Sequence, residues 1–389
     1  MTTTRTPAGG RVPFNDLARS TPAGAIRAAL DGVIAEGAFI HGSALSAFER
    51  RFAAYSGAAH CVGTSSGASA LQCALTAVGC GPGDEVVTVS STFVATAAAI
   101  VHTGARPVFV DIDPVTLTAR PDQVRAALTP RTRAIVPVHL YGRPAAPREL
   151  AAIGAEHGIP VVADAAHAHG ATHGGRPVAA YATVSCFSFY PSKNLGAFGD
   201  AGALVTDDAA LARRARALCD HGREGDEVVA VGHNWRLDTL QAAVLDAKLG
   251  HADVWAAQRR RAADTYRRLL DGTGLTLPAP DAGHAHHLYV VRHPERDALR
   301  AELARHGVDA RIHYPRAVHT MEPFRGFPAA PDGLPVSEEL AGQCLSLPLF
   351  PGITDEELSA VARAVHTALR TLGGHAAAPH PRPTATSRD

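Results

Sequence analysis

Lysine is nearly missing from this chain. Of its 37 Lys and Arg residues only Lys193 and Lys248 are lysines, so arginine carries almost all the positive charge. Arginine stays protonated and cannot act as an amine nucleophile, whereas lysine can once burial or a cationic neighbour lowers its pKa. Net charge is missing too: 37 acidic residues balance the 37 basic ones. That balance argues against a broad nucleic-acid or anionic-membrane surface. No apolar run approaches the roughly 20 residues of a membrane span, and the polar start Met1–Arg11 has no signal-peptide core. The cysteines Cys61, Cys73, Cys80, Cys186, Cys219 and Cys344 are scattered, with no Cys-x-x-Cys pair. They read as reduced, structural thiols of a cytoplasmic protein.

What is present is a chain of 389 residues, 46% apolar, long enough for two or three packing units. From His60 onward, short apolar runs alternate with helical patterns: strands at 60–63, 85–89, 108–111, 134–138, 160–163 and 184–189, with helices between most of them. Such alternation predicts an α/β fold with a mainly parallel sheet, whose ligands bind beyond the carboxyl ends of the strands. The basic helix 252–270 leads into a smaller α+β C-terminal domain with strands at 287–291 and 309–313. The expected organisation is a flexible N-terminus (1–12), a large domain (13–250), a small domain (251–372) and a disordered tail (373–389).

The stretch Phe187–Gly202 places Lys193 in a glycine-rich turn just past a strand. Lys248 falls in the last turn of a helix, where a cation suits the dipole. A lysine that forms a Schiff base with pyridoxal phosphate needs a carboxylate for the pyridine nitrogen, donors for the phosphate and a group packed on the ring. Asp164, ending a buried strand, is the candidate carboxylate. The helix start Ser66-Gly67-Ala68-Ser69, together with Ser188, offers donors to an anion. Phe93 opens the helix after Ser91-Thr92. Each has a plainer alternative: Asp164 as a helix cap, Phe93 as core, Ser188 as filler. Asp164, His167, His169 and His173 fall within ten residues and raise a catalytic metal site as an alternative, although their spacing matches no zinc motif.

With these residues in hand, the chain resembles the DegT/DnrJ/EryC1/StrS family of pyridoxal phosphate-dependent aminotransferases. The likeness runs from about Pro13 to Leu372. Its motifs include Gly63–Leu71, Gly83–Val87, Thr92–Thr96, Pro107–Asp113, Pro137–Gly142, Asp164–Gly170, Phe187–Gly202, Asn234–Gln241 and Leu345–Leu349.

The resemblance implies a fold-type I aminotransferase, active as a homodimer with sites at the subunit interface. It implies that Lys193 binds the cofactor covalently and moves the proton, and that Asp164 pairs with the pyridine nitrogen. His167 contacts the phenolic oxygen, Phe93 stacks on the ring, and Gly67, Ala68 and Ser188 hold the phosphate. Asn234 reaches the phosphate of the other subunit, while His313, Tyr314 and His319 lie near the substrate. The implied reaction moves an amino group from an amino acid, L-glutamate, to a nucleotide-linked 3- or 4-keto-6-deoxy sugar in amino-sugar or secondary-metabolite biosynthesis. A cyclitol acceptor stays open, as does a dehydratase of the same fold that uses pyridoxamine phosphate, against which Lys193 argues. A non-catalytic cofactor-binding regulator is the remaining rival.

Overall fold

The computed structural model describes residues 11–375. The expected flexible start, up to Gly10, and the tail beyond His375 lie outside the described residues. Two helices, α1 (Ala23–Glu36) and α2 (Ser43–Ser56), come first. They are followed by β1 (His60–Thr64), α3 (Gly67–Ala77), β2 (Glu85–Val89), α4 (Val94–His102), β3 (Arg106–Val110), α5 (Pro121–Ala126) and β4 (Thr132–Val136). Then come α6 (Pro147–His157), β5 (Val162–Asp164), β6 (Val184–Ser188), β7 (Gly202–Thr206), α7 (Ala209–Cys219), α8 (Thr239–Leu249) and α9 (Ala252–Leu269).

Strands β3, β2 and β4 pair in parallel, and β5 pairs in parallel with β6. Parallel bridges Ile135–Val161 and Val138–Asp164 join the two groups into one sheet of order β3-β2-β4-β5-β6-β7-β1. Only β7 runs against its neighbours, β6 and β1. β7 is not among the strands expected from sequence, because Gly202-Ala-Leu-Val-Thr206 is short and follows directly on the glycine-rich turn. Its five residues are all buried, which is how a strand covered on both faces reads. Every residue of β2 is buried as well.

The smaller unit holds β8 (Tyr289–Arg292), α10 (Arg296–Arg305), α11 (Pro335–Gln343), β9 (Cys344–Leu347) and α12 (Asp355–His375). Strands β8 and β9 are antiparallel. The strand expected at 309–313 reduces to a single bridge of Arg311 against Ser346. Helix α12 runs three residues beyond Leu372, past the point where the tail was expected to begin. The start of the described chain also packs here. Val12 shares a core with Leu299, Leu303 and Val365, and Arg19 bonds Glu357 through both Nη atoms at 2.7 Å. All six cysteines are buried free thiols. Among the described residues no helix is long and apolar enough to cross a membrane.

Candidate active site

At the carboxyl edge of the sheet lies a cavity of about 410 Å³. Its wall includes Ser66, Gly67, Ala68, Phe93, Asp164, His167, Ser188, Lys193, His313 and Tyr314. The parallel strands bring these side chains together, since β5 ends on Asp164 and β6 on Ser188.

Asp164 is buried, and burial raises its pKa. The Thr96 hydroxyl donates to its Oδ2 at 2.7 Å, the Ala166 N–H donates to its Oδ1 at 3.1 Å, and Lys193 adds an attractive charge; all three oppose the rise. Burial also pulls the Lys193 ammonium down to about 8, with Asp164 holding it from falling further. A lysine at that value exposes a useful fraction of neutral amine near physiological pH.

The anion corner is built on α3. Ser66 caps it: its Oγ accepts from Ser69 N at 3.1 Å, and the Ser69 Oγ accepts from Ser66 N at 2.9 Å. This capping box leaves the Gly67 and Ala68 N–H groups of the first turn without an acceptor among the described residues. Gly67 is required by close approach, since a Cβ there would stand 2.6 Å from the Ser188 Cβ. Ser188 Oγ accepts a long bond from Tyr190 N, 3.4 Å, which leaves its own proton free. Two N–H groups, a helix dipole and a hydroxyl therefore converge on one corner.

His167 is buried and neutral: burial, then Lys193, hold its pKa well below the usual histidine value. The Tyr141 N–H donates to its Nδ1 at 3.2 Å, so the ring proton sits on Nε2. Tyr141 adopts a left-handed φ of 59° and also donates its hydroxyl to the His313 carbonyl. One residue in a sparsely populated conformation thus fixes two histidines of the site. The His313 Nδ1 pairs with Ser346 Oγ at 2.8 Å, and burial brings its pKa down to about 4. The Tyr314 ring lies 5.4 Å from that of Phe93, which is half exposed on the cavity wall.

Two expected residues lie elsewhere. His319 is outside the cavity wall; its Nδ1 meets Ser90 Oγ at 2.6 Å and its Nε2 meets Glu338 at 3.1 Å. Asn234 is exposed, on a segment bridged to Asp220, and does not line the cavity of its own chain. The histidines that follow Asp164 also part company. His169 packs among Phe52, Phe187 and Phe189, and His173 lies against Tyr181. Among the described residues no three His, Cys, Asp or Glu are grouped to hold a metal ion.

Sequence reading missed Thr96, Tyr141 and His287. Thr96 follows Thr92 by one helical turn, and their hydroxyls meet at 2.7 Å, a spacing visible in the sequence. His287 lines the cavity beside His167, ring centroids 4.5 Å apart. It comes from the far unit, and nothing local marks it.

A sheet of this order, with a lysine and a carboxylate facing each other over a helix N-terminus, defines a fold-type I aminotransferase. The chain belongs to the DegT/DnrJ/EryC1/StrS aminotransferase family, which it matches over residues 22–366. It is 48% identical to the erythromycin biosynthesis sensory transduction protein EryC1 of Saccharopolyspora erythraea, over 83% of this chain and 90% of that one. It is 44% identical to the dTDP-3-amino-3,4,6-trideoxy-alpha-D-glucose transaminase of Streptomyces venezuelae, over 91% and 95% of the two chains. The crystal structure of S. venezuelae DesV in complex with a ketimine intermediate superposes with a TM-score of 0.89 at 42% identity, covering 92% of this chain and 98% of that one.

Proposed function

We propose that this protein is a pyridoxal phosphate-dependent aminotransferase that moves an amino group from an amino acid, L-glutamate, to a nucleotide-linked keto sugar. The observation that carries the reading is the pairing of Lys193, its pKa lowered to about 8, with the buried Asp164 across one cavity. The name of the S. venezuelae transaminase favours carbon 3 of a dTDP-linked deoxy sugar as the site of amination.

The residues fit the cofactor. Gly67, lacking a Cβ, lets the α3 start lie against Ser188, so the first-turn N–H groups and the Ser188 hydroxyl can serve one phosphate. Asp164 is a desolvated carboxylate suited to a cationic N–H. Pyridoxal phosphate, when bound, supplies an electron sink for the carbon that loses or gains a proton. Lys193 Nζ would hold the cofactor, and its amine would move the proton at the donor's α-carbon and at the sugar carbon. Asp164, its two oxygens fixed by Thr96 and the Ala166 N–H, would keep the pyridine nitrogen protonated. His167 would offer its Nε2 proton to the phenolic oxygen, and Phe93 would pack on the ring. Ser66, Gly67, Ala68 and Ser188 make the phosphate corner, with Ser66 acting as the cap that frees the two N–H groups. His313 and Tyr314 face the substrate side; His319 supports that segment from outside through Ser90 and Glu338.

The working unit is a homodimer with its sites at the interface. Phe93, Tyr190 and Phe198, at 52%, 55% and 51% exposure, gather around the cavity and the lysine turn, more large apolar surface than a finished site leaves to water. The cavity wall of one chain also contains no arginine to meet a donor carboxylate or a sugar diphosphate. A second copy would cover that apolar surface, with Asn234 of the partner subunit reaching the phosphate. The test of the activity is incubation with glutamate and dTDP-linked 3-keto or 4-keto sugars. Formation of 2-oxoglutarate and an amino sugar, faster with the 3-keto substrate, is the expected result. A dehydrated sugar with no nitrogen gained refutes the reading.

A further inference from the structure

Lys248, the other lysine of the chain, does not spend its charge on the end of its helix. It is 4% exposed, and its Nζ donates to the Gly196 carbonyl at 2.6 Å. The rings of Phe198 and Trp255 stand 5.7 and 5.9 Å from that nitrogen. No carboxylate pairs with it among the described residues, and burial pulls its pKa to about 8. A buried ammonium on one carbonyl and two aromatic faces is costly to keep unless the carbonyl needs it.

Gly196 belongs to the turn that carries Lys193. That turn is closed on itself: Lys193 N donates to Tyr190 O and Ala197 N to Phe189 O, each at 2.8 Å. A Cβ on Gly196 would stand 2.3 Å from the Pro191 carbonyl oxygen. Helix α8 holds the same turn at a second point, where Gln241 Oε1 accepts from Phe198 N at 2.8 Å. Gln241 and Lys248 are seven residues apart, two helical turns, so both project from one face of α8. The helix therefore grips the turn on both sides of Ala197, three to five residues from the catalytic amine.

We propose that Lys248 is a positioning residue for Lys193: with Gln241 it clamps the Pro191–Phe198 turn onto α8 and sets where the Lys193 amine stands relative to Asp164. The inference rests on the function proposed for Lys193, but the clamp itself can be read without the cofactor. A neutral amine still donates to Gly196, so the clamp outlasts loss of the charge.

The experiment uses full-length Lys248→Met, which keeps length and apolar bulk but removes the donor, beside Lys248→Arg, which restores one. In cofactor-free protein, Lys248→Met is expected to raise amide exchange in the 190–200 peptide while leaving α3 and β2 protected. In protein loaded with pyridoxal phosphate, kcat is expected to fall roughly ten- to a hundredfold through misplacement of the amine, with KM for glutamate within about twofold. Lys248→Arg is expected to recover part of both effects. Unchanged exchange in that peptide with unchanged kcat overturns the proposal. So does protection lost throughout the protein, with Lys248→Arg no better than Lys248→Met, because that outcome marks a general core residue. If Lys248→Met does not fold, Gln241→Leu reads the other jaw: wild-type exchange at 190–200 and wild-type kcat in that variant count against the clamp. A wild-type protein that folds but takes up no cofactor contradicts the proposed function, not the clamp, which the exchange data judge alone.

Discussion

Two titratable groups set the character of the site, and each depends on what burial does to it. Water is taken from both Lys193 and Asp164, which disfavours charge on each, and each partly restores the charge of the other. The sign of the consequence is definite. Capture of pyridoxal phosphate by cofactor-free protein requires the neutral amine, so its rate should rise with pH to a midpoint near 8 instead of near 10.5. Asp164 raises the lysine value, so Asp164→Asn should move that midpoint downward. The variant should also keep its cofactor yet lose most turnover, for want of a carboxylate to hold the pyridine nitrogen protonated. Stopped-flow measurement of cofactor capture against pH checks this; an unmoved or raised midpoint in Asp164→Asn refutes the coupling. Lys193 and Asp164 were legible in the sequence because a lone lysine in a glycine turn and an aspartate at a strand end are local patterns. Thr96, which steadies Asp164, and His287, beside His167, were not, because their roles exist only once distant segments meet.

At the scale of elements, alternation of apolar runs with helical periodicity was enough to read most of the sheet and its parallel sense. It failed where local signals were weak. Strand β7 is five residues that start at Gly202 and follow a turn rich in glycine, so no period is long enough to register. The expected strand at 309–313 meets the sheet at one bridge, Arg311 with Ser346, on the edge of β9 opposite β8. Helix α4 begins at Val94, one residue past the Phe93 expected to open it, because Phe93 is its extended cap residue and the Thr92 hydroxyl meets that of Thr96. Helix α8 shows the same limit from another side. Its Gln241 and Lys248 share a face by simple spacing, but only the packed structure reveals that this face carries the lysine turn.

For the whole molecule, the two units meet around the cavity: the large sheet supplies the lysine, the carboxylate and the anion corner, and the smaller unit supplies His287, His313 and Tyr314. Asn234 lies outside this assembly in its own chain, which suits a residue that serves a neighbour. Mixing Asn234→Ala with Lys193→Ala should therefore restore part of the activity that each lacks. In a mixed dimer of shared sites, one site carries both lesions and the other carries neither. No recovery, with subunit exchange verified by native mass spectrometry, contradicts the shared site.

The scarcity of lysine makes the central claim unusually easy to test. Purified holoenzyme should be reduced with borohydride, digested, and its cofactor-bearing peptide identified by mass spectrometry. The violet-blue absorbance should bleach and the cofactor mass should be fixed on Lys193, with none on Lys248. Cofactor fixed on Lys248, or a bleached protein with no labelled lysine, would contradict it.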